Sequence, residues 1–206
     1  MRGSVYVAML VSVIIAWFMK QYDNKRKARP ETSLDDIEID NPLEALKDAN
    51  WAVRLKAIQQ LPKMPSEEAI PHLIAALGDE DSDVREAAAD ALASYEEESI
   101  PQLLKILENG NPDAREAAVK ALAKIGSDKA LKAVGSALLD DESAWVRIAA
   151  AKVLGQRADK RYVKVLTESL EDSHADVYEA AVEALKQIGT KEALLAVTKH
   201  PYHSVA

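Results

Sequence analysis

The chain has 206 residues, 48% hydrophobic and 29% charged, with no cysteine and a net charge of −8. The lack of cysteine excludes disulfides, thiolate zinc sites and cysteine nucleophiles. The charge is uneven: residues 20–29 hold five bases against one acid, whereas residues 30–206 hold 20 bases and 33 acids. Such an acidic surface repels phosphate backbones and argues against nucleic acid as a partner.

Residues 3–19, GSVYVAMLVSVIIAWFM, carry no charge. As a helix rising about 1.5 Å per residue they span roughly 25 Å, the short end of a bilayer crossing. Tyr6 and Trp17 stand near the two ends, where amphipathic rings favour the headgroup layer. The stretch Trp17-Phe18-Met19-Lys20 offers no small-residue cleavage site, so we expect a retained transmembrane helix rather than a removed signal peptide. Arg2 is the one basic side chain on its N-terminal flank. The positive-inside rule therefore expects a single-pass membrane protein with its N-terminus outside and residues from Lys20 onward in the cytoplasm. Ser4, Ala8, Ser12 and Ala16 recur every four residues and form a stripe of small side chains. Such a stripe suits packing against another membrane helix, in a homodimer or a larger complex; chance placement of small residues explains it equally simply. Residues 20–41 follow as a basic juxtamembrane run and an acidic linker that begins at Pro30.

From residue 42 to 200 one phrase returns five times: NWAVRLKAIQQL at 50–61, DSDVREAAADAL at 81–92, NPDAREAAVKAL at 111–122, SAWVRIAAAKVL at 143–154 and HADVYEAAVEAL at 174–185. The steps between Arg54, Arg85, Arg115, Arg147 and Tyr178 are 31, 30, 32 and 31 residues. A fixed period of this length marks stacked supersecondary units, here two helices each, so the expected fold is an all-α solenoid of about five repeats. Asp81 and Asn111 read as N-caps, Pro112 as a first helical residue and Gly126 as a helix stop. The second helices are expected to start near Glu67, Glu97, Asp128, Asp159 and Lys191, and NPLEALKD at 41–48 reads as a half-repeat cap. Paired alanines let neighbouring helices approach, and the column Leu61, Leu92, Leu122, Leu154, Leu185 fills the core. Five residues before each Val position stand Asp48, Asp79, Asn109, Asp141 and Asp172. With Arg54, Arg85, Arg115 and Arg147 they suggest a ladder in which each guanidinium bridges carboxylate and backbone oxygens, broken at Tyr178.

The V-R-x-x-A-x-x-A-L core and the preceding aspartate column resemble the HEAT-repeat family, in its short branch typified by phycobilisome-lyase-like repeats. The resemblance covers about residues 42–200. It implies an α-α superhelix whose second helices line a concave binding surface, and no single activity. On that footing the concave positions are Glu68, His72, Glu98, Gln102, Lys105, Lys129, Lys132, Arg161 and Lys164. Residues 66–108 hold 12 acids and 2 bases, and residues 128–164 hold 5 acids and 8 bases. A groove of that polarity suits a protein or loop of opposite polarity, although an ordinary solvated face has the same composition. Trp51 and Trp145 open first helices, either folded over the neighbouring turn or exposed as partner anchors.

Relatives with this fold include di-iron deoxyhypusine hydroxylases, which carry His-Glu pairs. Here the four histidines are followed by Leu73, Ala175, Pro201 and Ser204. The acidic stretch DEDSD at 79–83 lacks the glycine and glutamate of a calcium loop, with Asp90 at the twelfth position. We therefore expect no cofactor, no metal and no catalysis. The expected function is a membrane-tethered protein–protein interaction scaffold, assembly factor or accessory subunit of a membrane complex. The alternative is a chromophore- or cofactor-handling protein related to the bilin lyases.

Overall fold

A computed structural model describes residues 34–200. The expected membrane helix at 3–19, with Ser4, Ala8, Ser12 and Ala16, lies outside the described residues, as does the basic run that follows it. Among the described residues no helix is long and apolar enough to cross a membrane. The chain divides into two units, and the described part of the first, which ends at Ile37, holds a single 3-10 turn, Leu34–Asp36. The second begins at Glu38 and contains the repeats.

That second unit opens with a short cap helix, α1 (Pro42–Ala45), whose N-terminal amides are capped by the Asn41 side chain. Five first helices follow: α2 (Trp51–Ile58), α4 (Ser82–Ser94), α6 (Pro112–Ile125), α8 (Ala144–Gln156) and α10 (Ala175–Ile188). Alternating with them are the second helices: α3 (Ser66–Ala76), α5 (Ile100–Asn109), α7 (Asp128–Asp140), α9 (Val163–Glu168) and α11 (Lys191–Lys199). Caps set the starts as the sequence requires, with Asp81, Asn111 and Asn50 accepting from the free amides of the following turn. The five leucines of the core column are all fully buried, and so are Ala88, Ala118, Ala150 and Ala181.

Small side chains decide how the stack closes. Adjacent first helices pack on one another throughout, whereas adjacent second helices touch sparsely. At Gly155 on α8 the approach is close: an added Cβ would lie 2.6 Å from the Ala184 Cα of α10. The first-helix row is therefore the tighter side of the solenoid.

In the second to fifth repeats, two kinds of corner join the helices, whereas the first repeat turns through the 3-10 segment Leu61–Lys63 with no positive φ. Gly126 and Gly189 end α6 and α10 with φ of +72° and +68°, and the next helix starts at once behind a Ser127 or Thr190 cap. The second and fourth repeats lack this glycine. There Glu96 and Ala158 take φ of 49° and 50°, and a 3-10 turn intervenes, Glu96–Glu98 or Lys160–Tyr162. That turn moves the start of α5 from the expected Glu97 to Ile100, and of α9 from the expected Asp159 to Val163. A side chain in the left-handed region costs about 1–2 kcal/mol. Glu96→Gly and Ala158→Gly are each expected to raise stability by about 0.5–1 kcal/mol after the larger unfolded-state entropy of glycine is subtracted. Urea midpoints of the single variants would show it, and a downward shift would contradict the strain at these corners.

Candidate docking groove and the arginine ladder

Three consecutive first helices, α4, α6 and α8, line a groove of about 630 Å³. Its floor is apolar, made by Ala89, Ala123, Ile148, Ala149 and Val153. At its edge Trp145 is 70% exposed, far more than any other large apolar side chain among the described residues. Trp51, the other tryptophan that opens a first helix, is half-buried. The fourth repeat builds this patch by breaking two columns. Trp145 stands where the second, third and fifth repeats have Asp83, Asp113 and Asp176, and Ile148 stands where they have Glu86, Glu116 and Glu179.

Charge in the groove is partly neutralised from within. Lys124 on α6 pairs with Asp90 on α4, and Lys120 pairs with Glu116 one turn back at 2.8 Å. The Arg157 Nη1 donates to the Ala123 carbonyl at 2.8 Å, closing the end of α6. Glu86 on α4 and Lys152 on α8 form no ion pair among the described residues.

The side chains expected to line a concave second row stand apart from this groove. Glu68, Glu98, Lys105, Lys129, Lys132, Arg161 and Lys164 are exposed, and none lines the groove. Arg161 is bound to Asp159 and Asp128, each at 2.8 Å, and Lys164 lies 3.8 Å from Glu168. Gln102 is half-buried, its Oε1 without a hydrogen-bond donor. His72 lines a separate pocket of about 230 Å³ with Leu46, Arg54 and Asp79. Alanines and Gly155 bring the first helices together. The paired alanines carried that signal. The column breaks at Trp145 and Ile148 carried the signal for the patch.

The ladder holds these helices in register. Arg54 grips Asp79 with two parallel hydrogen bonds of 2.8 and 2.7 Å, and its Nη1 donates to the Asp48 and Ala49 carbonyls. Arg115 grips Asp141 at 2.9 and 3.0 Å and also reaches Glu142 and the Gly110 carbonyl. Arg147 grips Asp172 at 2.7 and 3.0 Å and donates to the Asp141 carbonyl. Each of these three carboxylates also accepts the backbone N–H two residues ahead, at 2.8 Å. Such forked, charge-assisted pairs fix geometry as well as energy. The hydrogen bonds to Asp79 and Asp141 raise Arg54 and Arg115 above the ordinary arginine value. Burial pushes the Asp172 carboxyl up, but Arg147 and the His174 N–H together hold it below the ordinary value.

One rung differs. Arg85 donates to the Asp79 and Glu80 carbonyls at 2.6 and 3.1 Å. The residue at its acceptor position is Asn109, which is the last residue of α5 and turns back to the Lys105 carbonyl. The side chains of Arg85 and Asn109 do not meet. At Tyr178 the hydroxyl donates to the His200 carbonyl at 2.9 Å instead.

Taken together, the alternating helices and the ladder define an α-α repeat solenoid. Residues 39–104, 94–147 and 131–202 match the model of HEAT repeats, and the chain belongs to the HEAT-repeat family. Among solved structures it is similar to a chain of the CpcE–CpcF complex of phycocyanin lyase from Nostoc sp., with 27% identity and a TM-score of 0.55 over 65% of this chain and 88% of that one. It is also similar to YibA of Escherichia coli, with 26% identity and a TM-score of 0.46 over 84% of this chain and 69% of that one. A tubulin-recruiting TOG-domain array of microtubule polymerases shares the fold, with 14% identity and a TM-score of 0.51 over 91% of this chain and 49% of that one. No curated protein matches the sequence.

Proposed function

We propose that the chain is a membrane-tethered docking scaffold, an assembly factor or accessory subunit of a membrane complex, with no catalytic step of its own. Residues 3–19 anchor it, the repeats stand on the cytoplasmic side, and the first-helix groove engages a protein partner. Tethering raises the effective concentration of the groove for membrane-proximal partners, so modest contacts suffice. The observation that carries the reading is Trp145, 70% exposed beside an apolar floor. Exposed tryptophans over apolar pockets are the residues on which interfaces concentrate their energy.

The test is site-specific photo-crosslinking of the full-length protein in its own membranes. A crosslinker at Gln156, inside the groove, is expected to capture a stoichiometric protein that Trp145→Ala releases. One at Lys132, on the second row, is expected to capture none. Equal capture from both positions, or indifference to Trp145→Ala, would remove the groove from the proposal. Carbonate extraction tests the anchor, since a spanning helix stays in the membrane pellet.

A second reading has one specific support, the phycocyanin lyase neighbour. The groove volume of about 630 Å³ lies within the range of small-molecule sites. Under that reading the chain handles a chromophore. Visible absorbance that co-purifies from the native host would favour it over docking.

A further inference from the structure

The groove is not uniform along the stack. On α4 it presents Glu86 and Asp90; on α6 it presents Glu116, Lys120 and Lys124; on α8 it presents Trp145, Ile148 and Lys152, with Arg157 just past its end. The internal pairs Asp90–Lys124 and Glu116–Lys120 cancel the middle. Glu86 then remains as an uncompensated acid at one end. Lys152 remains as an uncompensated base at the other, beside the apolar patch. Neighbouring packed helices lie about 8–10 Å apart, so α4 and α8 are separated by roughly 16–20 Å. An extended chain covers that distance in about five or six residues.

Resting on the docking reading above, we infer that the groove takes an extended segment of a protein partner with a fixed charge order. A basic residue of the segment meets Glu86. About five residues away a large apolar side chain covers Trp145 and Ile148, and an acidic neighbour of that side chain pairs with Lys152. Charge complementarity sets the direction of the segment, because reversing it would place like charges together at both ends. The apolar contact supplies most of the affinity, and the two exposed charges supply selectivity. The same polarity suits the absence of an acid at 145 and 148 on the fourth repeat. An acid at position 145 or 148 would repel the acidic residue that Lys152 attracts.

The experiment is selection of a phage-displayed library of random twelve-residue peptides on the full-length protein in detergent micelles. The wild type is expected to enrich peptides with Lys or Arg at one end and, four to six residues away, a large apolar residue next to Asp or Glu. Lys152→Glu is expected to replace the enriched acid by a base at that place and leave the apolar position unchanged. A misfolded protein cannot produce that switch. Trp145→Ala is expected to weaken a selected wild-type peptide at least about tenfold by fluorescence anisotropy. Peptides without charge order, or the same charges from wild type and Lys152→Glu, would overturn the inference. Crosslinking from Gln156 separates the two failures. Capture that persists beside a disordered selection sinks the charge order alone, and loss of both sinks the docking reading as well.

Discussion

Asp141→Ala is expected to lower the stability of the repeat body by about 3 kcal/mol. The Asp141 carboxylate accepts two hydrogen bonds from Arg115 and a third from the Ser143 N–H. The Arg115 and Asp141 side chains are only 8% and 6% exposed. Removing the acid leaves a covered guanidinium with a backbone carbonyl and the solvent-facing Glu142, whose side chain is 83% exposed. Breaking a buried pair on one side costs about 3–5 kcal/mol. The ladder runs close to the surface, and Glu142 stays in reach, so the lower end applies. A urea titration followed by circular dichroism would measure it, and a loss under about 1 kcal/mol would show that the rung is ornamental. The complementary variant is Asn109→Asp, which supplies Arg85 with its missing carboxylate and is expected to stabilise by about 1 kcal/mol.

The ladder also sets an acid limit. Asp172 has a folded value below its unfolded one. Its contribution is therefore present above the ordinary carboxylate value near 4 and is lost as pH falls through the lower folded value. Urea midpoints measured from pH 6 to pH 3 are expected to hold steady and then drop, and Asp172→Asn is expected to flatten the drop.

The second large effect lies at Gly155. An added Cβ there would sit 2.6 Å from both the Cα and the Cβ of Ala184, and 2.9 Å from the Gln187 Oε1. Backbone cannot yield as a flexible side chain does, so α10 must shift. Overpacking of this kind costs about 1–3 kcal/mol, against which alanine regains about 1 kcal/mol of helix propensity. Gly155→Ala is expected to cost a net ~2 kcal/mol, and Gly155→Leu to detach the fifth repeat as a separate, earlier unfolding step. Ala184→Gly in the Gly155→Ala background removes the clash with the methyl group at 184 but leaves the clash with the backbone behind it, so it restores only part of the loss. Full additivity of the two changes would place the strain elsewhere.

Much of the fold was legible because packing between identical units demands the same residue type at the same helical position. The leucine column, the paired alanines and the Arg–Asp register all follow from that demand. The site was less legible. The paired alanines signal close approach, but a column of alanines does not by itself say which row becomes the inner one. The expectation of a surface at Glu68, His72 and their successors on the second helices and the groove on the first helices are therefore separate readings. A repeat-by-repeat comparison sets Trp145 and Ile148 apart from the acids of the second, third and fifth repeats, although Ala52 and Leu55 break the same columns in the first. Asn109 misleads in the opposite direction. It keeps the column's shape without its charge, and a neutral amide does not draw Arg85 across the step. The 3-10 corners at Glu96 and Ala158 left no trace in composition, because neither residue favours a left-handed backbone.

The unbridged step between Arg85 and Asn109 gives the molecule a mechanical grain. Three of the four steps between first helices are clamped by forked ion pairs, from α2 to α4, from α6 to α8 and from α8 to α10. The step from α4 to α6 relies on apolar packing and the exposed Lys124–Asp90 pair, an interaction of the weak surface kind. That is also a step the groove crosses. Under bending, that step is expected to yield before the three clamped ones, so the spacing between the two clamped halves varies most at one joint.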